Sequence, residues 1–138
     1  MVDKVLVLRK FSELDGYTKQ LREFVSISME EYAKDWKVQR IIERTLQIMI
    51  ETCADISSHI ISDKGYRIPK NYVDTFKVLY ENNIINECLF ETMAKMAKFR
   101  NVVVHHYDKI DEAIVINILK KHLGDFAAFR DAILLILD

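Results

Sequence analysis

The sequence predicts an all-α fold, an antiparallel four-helix bundle with an additional short helix. Half of the 138 residues are hydrophobic, which is enough to fill the core of one domain. The chain has only three glycines and one proline, whereas all-β and α/β folds need more turn residues. Apolar residues also recur at helical spacing along most of the chain. We therefore expect residues 1–138 to form a single helical domain.

The predicted helices follow one another with short breaks. Their expected ranges are residues 3–27, 30–62, 72–81, 84–106 and 112–137. Ser28, which two glutamates follow closely, is typical of a helix N-cap. A break is expected near Lys34 and Asp35, and Gly65 can end the second helix in the left-handed conformation.

Charge and cysteine content narrow the class of protein. The formal net charge is only −1, which argues against a basic protein that coats nucleic acid and leaves room for a local basic site. Cys53 and Cys88 lie among apolar neighbours, so we expect two buried free thiols, as in a reducing cytosol. The chain shows neither a signal peptide nor an apolar run long enough to cross a bilayer. These features predict a cytoplasmic protein that does not bind membranes.

A ridge of polar residues recurs every fourth position in the second predicted helix, at Glu43, Gln47, Glu51, Asp55 and His59. Each four-residue step turns the helix by about 400°, so the ridge winds slowly beside an apolar stripe. Two interpretations stay open, a solvated face or a polar seam that lines a cleft or a subunit interface. Asp55 and His59 are one turn apart and could form a hydrogen bond. The ridge alone predicts no metal site.

The segment of residues 100–107 carries most of the functional information. On a helical wheel, Arg100, Asn101, His105 and Tyr107 fall on one arc of about 160°. His106 is expected to project from the other side, and two of the intervening valines can face the core. The segment therefore combines a polar face and a buried face.

The polar face contains the groups needed to cleave RNA. Arginine matches phosphate oxygens with a planar fork of donors and keeps its charge. Histidine can transfer a proton near neutral pH, and a tyrosine can hydrogen-bond a phosphate or stack on a base. Because RNA carries its own nucleophile, the 2′-hydroxyl, these groups need no metal or other cofactor. The same residues could instead be structural, with His105 satisfied by Asn101 and Tyr107 at the surface.

The pattern Arg100-Asn101-x-x-x-His105-x-Tyr107 resembles the arginine–histidine motif of HEPN-domain ribonucleases. The tyrosine two residues after the histidine is similar to the HepT toxin branch of that family. Residues 43–48, 55–60, 65–69, 72–83 and 96–99 also resemble the HepT sequences, and the similarity covers roughly residues 1–135. His106 satisfies the looser motif too, but the position of the tyrosine favours His105.

The resemblance implies a function for each residue of the motif. Arg100 and His105 would be the catalytic pair, and Asn101 would position the site. Tyr107 would receive AMP from a cognate MntA-like minimal nucleotidyltransferase antitoxin. The family implies a homodimer whose two motifs face each other across a cleft, and an RNA substrate, with tRNA as the expected class.

Three interpretations follow for the whole chain. The first is a metal-independent endoribonuclease toxin that AMP addition neutralises. The second is a non-catalytic HEPN-type binding module that partners a nucleotidyltransferase. The third is a purely structural dimerisation domain. In the first, Asp55 and His59 are further candidates for lining the groove between two copies.

Overall fold

Seven α-helices account for most of residues 2–137, the part of the chain that the computed structural model describes. No strand occurs in that part, so the predicted all-α class is confirmed. The predicted domain range, residues 1–138, reaches beyond the described residues at both ends. The helices are α1 Lys4–Arg22, α2 Met29–Lys34, α3 Trp36–Lys64, α4 Tyr72–Glu81, α5 Glu87–His105, α6 Glu112–Asn117 and α7 Leu123–Leu134. A 3-10 turn at Tyr107–Lys109 follows α5, and the π-helical residues Ile118–His122 join α6 to α7.

Local capping explains the helix ends that the sequence predicted. Ser28 Oγ accepts a hydrogen bond from the Glu31 amide at 3.0 Å, and the Glu31 carboxylate accepts one from the Ser28 amide at 3.1 Å. Asp35 ends α2, and its side chain caps the first turn of α3, which accounts for the predicted break. Gly65 ends α3 with a φ of 68°, in the left-handed region that glycine adopts without strain.

Other helix ends differ from the prediction. The first helix stops at Arg22 rather than residue 27, and the last ends at Leu134 rather than residue 137. The fourth predicted helix begins at Glu87 rather than residue 84, because Asn86 caps it by accepting a hydrogen bond from the Leu89 amide at 2.8 Å. Ile84 is buried before that cap. A buried apolar residue in the preceding loop fits the helical spacing of apolar residues, so the sequence pattern made the helix look longer than it is.

The long helix α3 is the centre of the bundle and packs against α1, α2, α4 and α5. An aromatic cluster joins three of the helices. Phe129 of α7 meets Phe11 of α1 and Phe76 of α4 edge to face, with ring centroids 6.3 and 6.0 Å apart. Because α3 packs against α5, polar side chains on α3 can reach the end of α5.

The two cysteines lie in different environments. Cys53 is buried in α3, as predicted, and burial raises the pKa of its thiol. Cys88 is exposed, so the prediction of a buried thiol is wrong there. It occupies the first turn of α5, where the neighbouring Asn86 and Glu87 also face solvent. The apolar residues that follow Cys88 in the sequence suggested a buried side chain, whereas the helix turns Cys88 towards solvent.

None of the helices within residues 2–137 is both long enough and apolar enough to cross a membrane. The same residues contain no cluster of three or more metal-ligating side chains.

Candidate functional site

An open cleft of about 550 Å³ lies between the C-terminal end of α5 and the loop that precedes α4. It brings together Arg100, Asn101 and His105, three of the residues that the motif singles out. The complete lining consists of Ser58, Pro69, Lys70, Asn71, Tyr72, Thr75, Arg100, Asn101, His105 and His106. The cleft is therefore rich in hydrogen-bond donors and contains two cationic side chains.

Arg100 is held on three sides. Its Nε donates to Glu51 Oε2 at 2.9 Å, its Nη2 lies 2.8 Å from the same oxygen in an ion pair, and its Nη1 donates to Asn101 Oδ1 at 3.2 Å. Its guanidinium carbon lies 4.3 Å from the centroid of the Tyr72 ring. A phosphate that enters the cleft thus meets an oriented guanidinium. The Glu51 carboxylate already partly balances that charge.

His105 and His106 both line the cleft and both are exposed. The prediction that His106 projects from the opposite side is wrong. Helix α5 ends at His105, and His106 adopts φ −137° and ψ 51°, so helical geometry no longer fixes its direction. The cleft therefore offers two imidazoles for proton transfer, and the spacing to Tyr107 is what favours His105.

Tyr107 lies outside α5, in the 3-10 turn, and is not among the residues that line the cleft. The wheel that placed it on the same arc as Arg100 assumed a continuous helix and is wrong for this residue. Its hydroxyl donates a hydrogen bond to Glu43 Oε1 at 2.8 Å, and Arg40 lies 4.9 Å from the centroid of its ring. Burial, and then the hydrogen bond and charge of Glu43, raise the pKa of Tyr107.

The polar ridge of α3 supplies two of these partners. Glu51 binds Arg100, Glu43 binds Tyr107, and Gln47 donates to Glu51 Oε2 at 3.1 Å. Glu43 is only 5 % exposed, so this part of the ridge is a polar seam rather than a solvated face. The four-residue spacing indicates the ridge in the sequence, but it gives no sign of the partners Arg100 and Tyr107.

The C-terminal part of the ridge behaves differently. Asp55 is exposed. His59 Nε2 accepts a hydrogen bond from the Asp3 amide at 3.1 Å, at the start of α1, instead of the suggested bond with Asp55. Neither residue lines the cleft of Arg100, and their place in a groove between two copies stays a prediction.

Comparison with known proteins gives consistent matches over nearly the whole chain. The family model for ribonuclease HepT-like proteins matches residues 14–133. The mRNA nuclease HepT of Shewanella oneidensis is 29 % identical over 128 residues, which are 93 % of this chain and 96 % of that protein. The tRNA nuclease HepT of Aphanizomenon flos-aquae is 30 % identical over 111 residues, 80 % of this chain and 75 % of that protein.

Solved structures give the same result. A tri-AMPylated Shewanella oneidensis HEPN toxin in complex with MNT antitoxin aligns with a TM-score of 0.87 and 30 % identity, covering 98 % of this chain and 99 % of that one. A toxin–antitoxin structure with AMP-PNP aligns with a TM-score of 0.85 and 29 % identity, over 96 % and 99 % of the two chains. The HEPN fold expected from the motif is confirmed by these matches.

Proposed function

Because the chain belongs to the ribonuclease HepT-like family and is an endoribonuclease, we propose that it is the toxin of a toxin–antitoxin pair. It acts as a single domain that cuts RNA with Arg100 and His105 and needs no metal ion. An MntA-like nucleotidyltransferase antitoxin silences it by adding AMP to Tyr107.

The observation that carries the proposal is the convergence of Arg100, Asn101 and His105 on one open cleft. The 2′-hydroxyl of RNA attacks the adjacent phosphorus, and His105 assists the proton transfer. Arg100, oriented by Glu51 and Asn101, stabilises the charge that develops on the phosphate oxygens. The cleft supplies these groups from protein side chains alone.

A homodimer accounts for RNA binding by a chain with a net charge of −1. Two copies that face each other would place two Arg100 side chains and two Lys70 side chains in one groove. Val104, between the motif residues, is 40 % exposed, which suits an apolar contact with a second copy. We propose tRNA as the substrate class. The named relatives include one mRNA nuclease and one tRNA nuclease.

Adenylation of Tyr107 provides an off switch with a clear physical basis. Tyr107 is 44 % exposed, so a partner enzyme can reach it. Tyr107 follows His105 by two residues, and an attached AMP would bring a phosphodiester charge and a base to the edge of the cleft. Similarity to an AMPylated toxin in complex with its antitoxin supports this switch.

Cleavage of RNA by the purified protein in EDTA tests the catalytic part. We expect fragments that end in 2′,3′-cyclic phosphate or 3′-phosphate, and we expect Arg100→Ala and His105→Ala each to abolish cleavage without loss of helix content. Activity that disappears in EDTA and returns with Mg²⁺ would contradict the mechanism. Normal cleavage by either variant would show that the site is wrong.

Intact-mass measurement after co-expression with an MntA-like nucleotidyltransferase tests the switch. We expect the chain to gain one or more AMP units, and Tyr107→Phe to gain none. The alternative function, a non-catalytic HEPN-type module that binds the nucleotidyltransferase, predicts a stable complex with no cleavage of RNA and no toxicity when the chain is expressed alone.

A further inference from the structure

The hydroxyl of Tyr107 donates a hydrogen bond to a carboxylate that the proposed RNA cleavage does not use. Glu43 lies two turns before Glu51 on α3, and its side chain is 6 % exposed. Its Oε1 atom accepts the hydrogen bond from the Tyr107 hydroxyl at 2.8 Å. Glu43 is therefore already in contact with the atom that would receive AMP.

Arg40 fixes the geometry of this pair. Its Nη1 lies 3.3 Å from Glu43 Oε1, and its guanidinium carbon lies 4.9 Å from the centroid of the Tyr107 ring. One side chain thus holds both the carboxylate and the face of the phenol. Arg40 is itself exposed, so the arrangement lies open to an approaching partner.

A third side chain completes the surroundings of Glu43. Tyr32 of α2 is fully buried, and its hydroxyl has no hydrogen-bond partner within the described residues 2–137. Burial, followed by the charges of Glu43 and Glu112, raises the pKa of Tyr32. An unsatisfied buried hydroxyl normally costs stability, and such costs are often found at functional sites.

We propose that Glu43 is the proton acceptor for the nucleotidylation of Tyr107, so that the toxin supplies part of the chemistry that silences it. The inference rests on the proposed function, since it requires Tyr107 to be the modified residue. Carboxylates act in the same way in protein kinases, where an aspartate accepts the proton of the substrate hydroxyl.

The step balances with ATP as the co-reactant. The Tyr107 Oη attacks the α-phosphorus of ATP, and the bond between Oη and that phosphorus forms as the bond from the phosphorus to pyrophosphate breaks. The phenolic proton moves to Glu43 Oε1 along the existing hydrogen bond. Pyrophosphate leaves, and Glu43 later returns the proton to water.

The need for an acceptor follows from the surroundings of the phenol. Burial and the adjacent carboxylate raise the pKa of Tyr107, so free phenolate is scarce at neutral pH. A carboxylate at 2.8 Å removes the proton as the new bond forms, and general bases in such positions typically contribute about 10²- to 10⁴-fold in rate.

Glu43→Gln separates proton transfer from simple positioning. The amide keeps the length of the side chain and an oxygen that can accept the hydrogen bond, but it cannot take the proton. With an MntA-like nucleotidyltransferase that modifies the natural chain and with Mg–ATP, we expect this variant to gain AMP about 10²-fold more slowly than the natural chain, as intact mass measures.

The pH profile provides a measurement that a purely structural role would not change. Between pH 7 and 9, the natural chain should gain AMP at a nearly constant rate. The rate for Glu43→Gln should rise about tenfold per pH unit, because phenolate must then form by free ionisation. Glu30→Gln is a matched control, an exposed carboxylate on α2 that pairs with Lys34, and it should follow the natural profile.

Three outcomes would count against these ideas, and they are distinguishable. If Tyr107 gains AMP at the same rate and with the same pH profile in Glu43→Gln as in the natural chain, the role of Glu43 is wrong while the proposed switch stands. If the natural chain gains no AMP on Tyr107, the switch and the role of Glu43 both fail.

If Glu43→Gln does not fold, Glu43→Asp replaces it. This variant keeps a carboxylate and should be slower with a flat profile, and a steep profile would overturn the proposal.

Discussion

Tyr32 is a buried residue whose hydroxyl lowers the stability of the fold. Its ring is completely buried, yet its hydroxyl has no hydrogen-bond partner among residues 2–137. A buried polar atom without a partner costs about 1–3 kcal/mol. The unsatisfied hydroxyl lies close enough to Glu43, the carboxylate that binds the Tyr107 hydroxyl, to be affected by its charge.

Tyr32→Phe removes this hydroxyl and leaves the packing of the ring unchanged. We expect the free energy of unfolding in urea to rise by about 1 kcal/mol. Tyr80→Phe is a suitable control, because Tyr80 is 36 % exposed and its ring stacks on Phe90. The control should change stability by less than about 0.5 kcal/mol. A loss of stability in Tyr32→Phe would contradict the unsatisfied hydroxyl.

The sequence predicted the motif residues but not their partners. Arg100, Asn101 and His105 could be grouped from the sequence because they lie within two turns of one helix, and all three line one cleft. Glu51 is 49 residues from Arg100, and Glu43 is 64 residues from Tyr107. Helical spacing places residues on a face, but it does not state which other helix that face meets.

At the scale of the elements, a network of charged side chains holds the loop between α3 and α4 in place. Arg67 donates to both carboxylate oxygens of Asp74 at 2.8 and 2.7 Å, and its Nε donates to Glu81 at 2.8 Å. The Lys70 amide also donates to Asp74 at 2.9 Å. Since this loop supplies Pro69 and Lys70 to the cleft, the network fixes one wall of the site.

The network predicts a pH dependence of stability. The hydrogen bonds from Arg67 and from the Lys70 amide hold the pKa of Asp74 far below its usual range. A carboxyl whose pKa is lowered by folding stabilises the protein above its unfolded pKa, about 3.9 for aspartate, and this contribution is lost as the pH falls further. Asp74→Asn should therefore be less stable than the natural chain at pH 7, and the difference should shrink at pH 3.

Urea midpoints at the two pH values measure this difference. Asp108→Asn is the control, since Asp108 is an exposed residue of the turn after α5, and its effect should be small at both. An Asp74→Asn difference that is equally large at pH 3 and pH 7 would mean that charge is not the cause.

Some helix ends could be predicted from a residue that caps its own helix, but others could not. Ser28 and Gly65 act through hydrogen bonds and backbone angles within their own segments, so the sequence alone identified them. The end of α5 has no such signal. His106 leaves the helix, and that single change moves Tyr107 away from Arg100 towards Glu43.

For the molecule as a whole, the fold class could be predicted because it depends on the overall amino-acid composition. Three glycines, one proline and a hydrophobic half of the chain leave little alternative to long helices. The order of contacts, with α3 in the centre, depends instead on the shapes of many side chains and could not be read from periodicity. The resemblance of the motif to HEPN proteins implied a helical bundle but not which helix lies at its centre.

The proposed homodimer gives a prediction at the same scale. Val104→Arg places a charge on the exposed apolar surface between Asn101 and His105 and should favour the monomer. Light scattering should then give about 16 kDa instead of twice the 16.2 kDa of one chain, and RNA cleavage should fall with the loss of the shared groove. Val5→Arg, at a valine that is 78 % exposed on α1, is the control and should leave the mass unchanged. A natural chain that is monomeric yet fully active would contradict the shared groove.

The different positions of the two sulfur atoms have a practical consequence. Cys53 is shielded by the core, whereas Cys88 is open to reagents, so a maleimide dye would attach to the folded chain at a single point. That point is 12 residues before Arg100 on the same rigid helix, which corresponds to about 18 Å along the axis. A fluorophore there would lie within energy-transfer range of a labelled antitoxin or transcript without occupying the cleft.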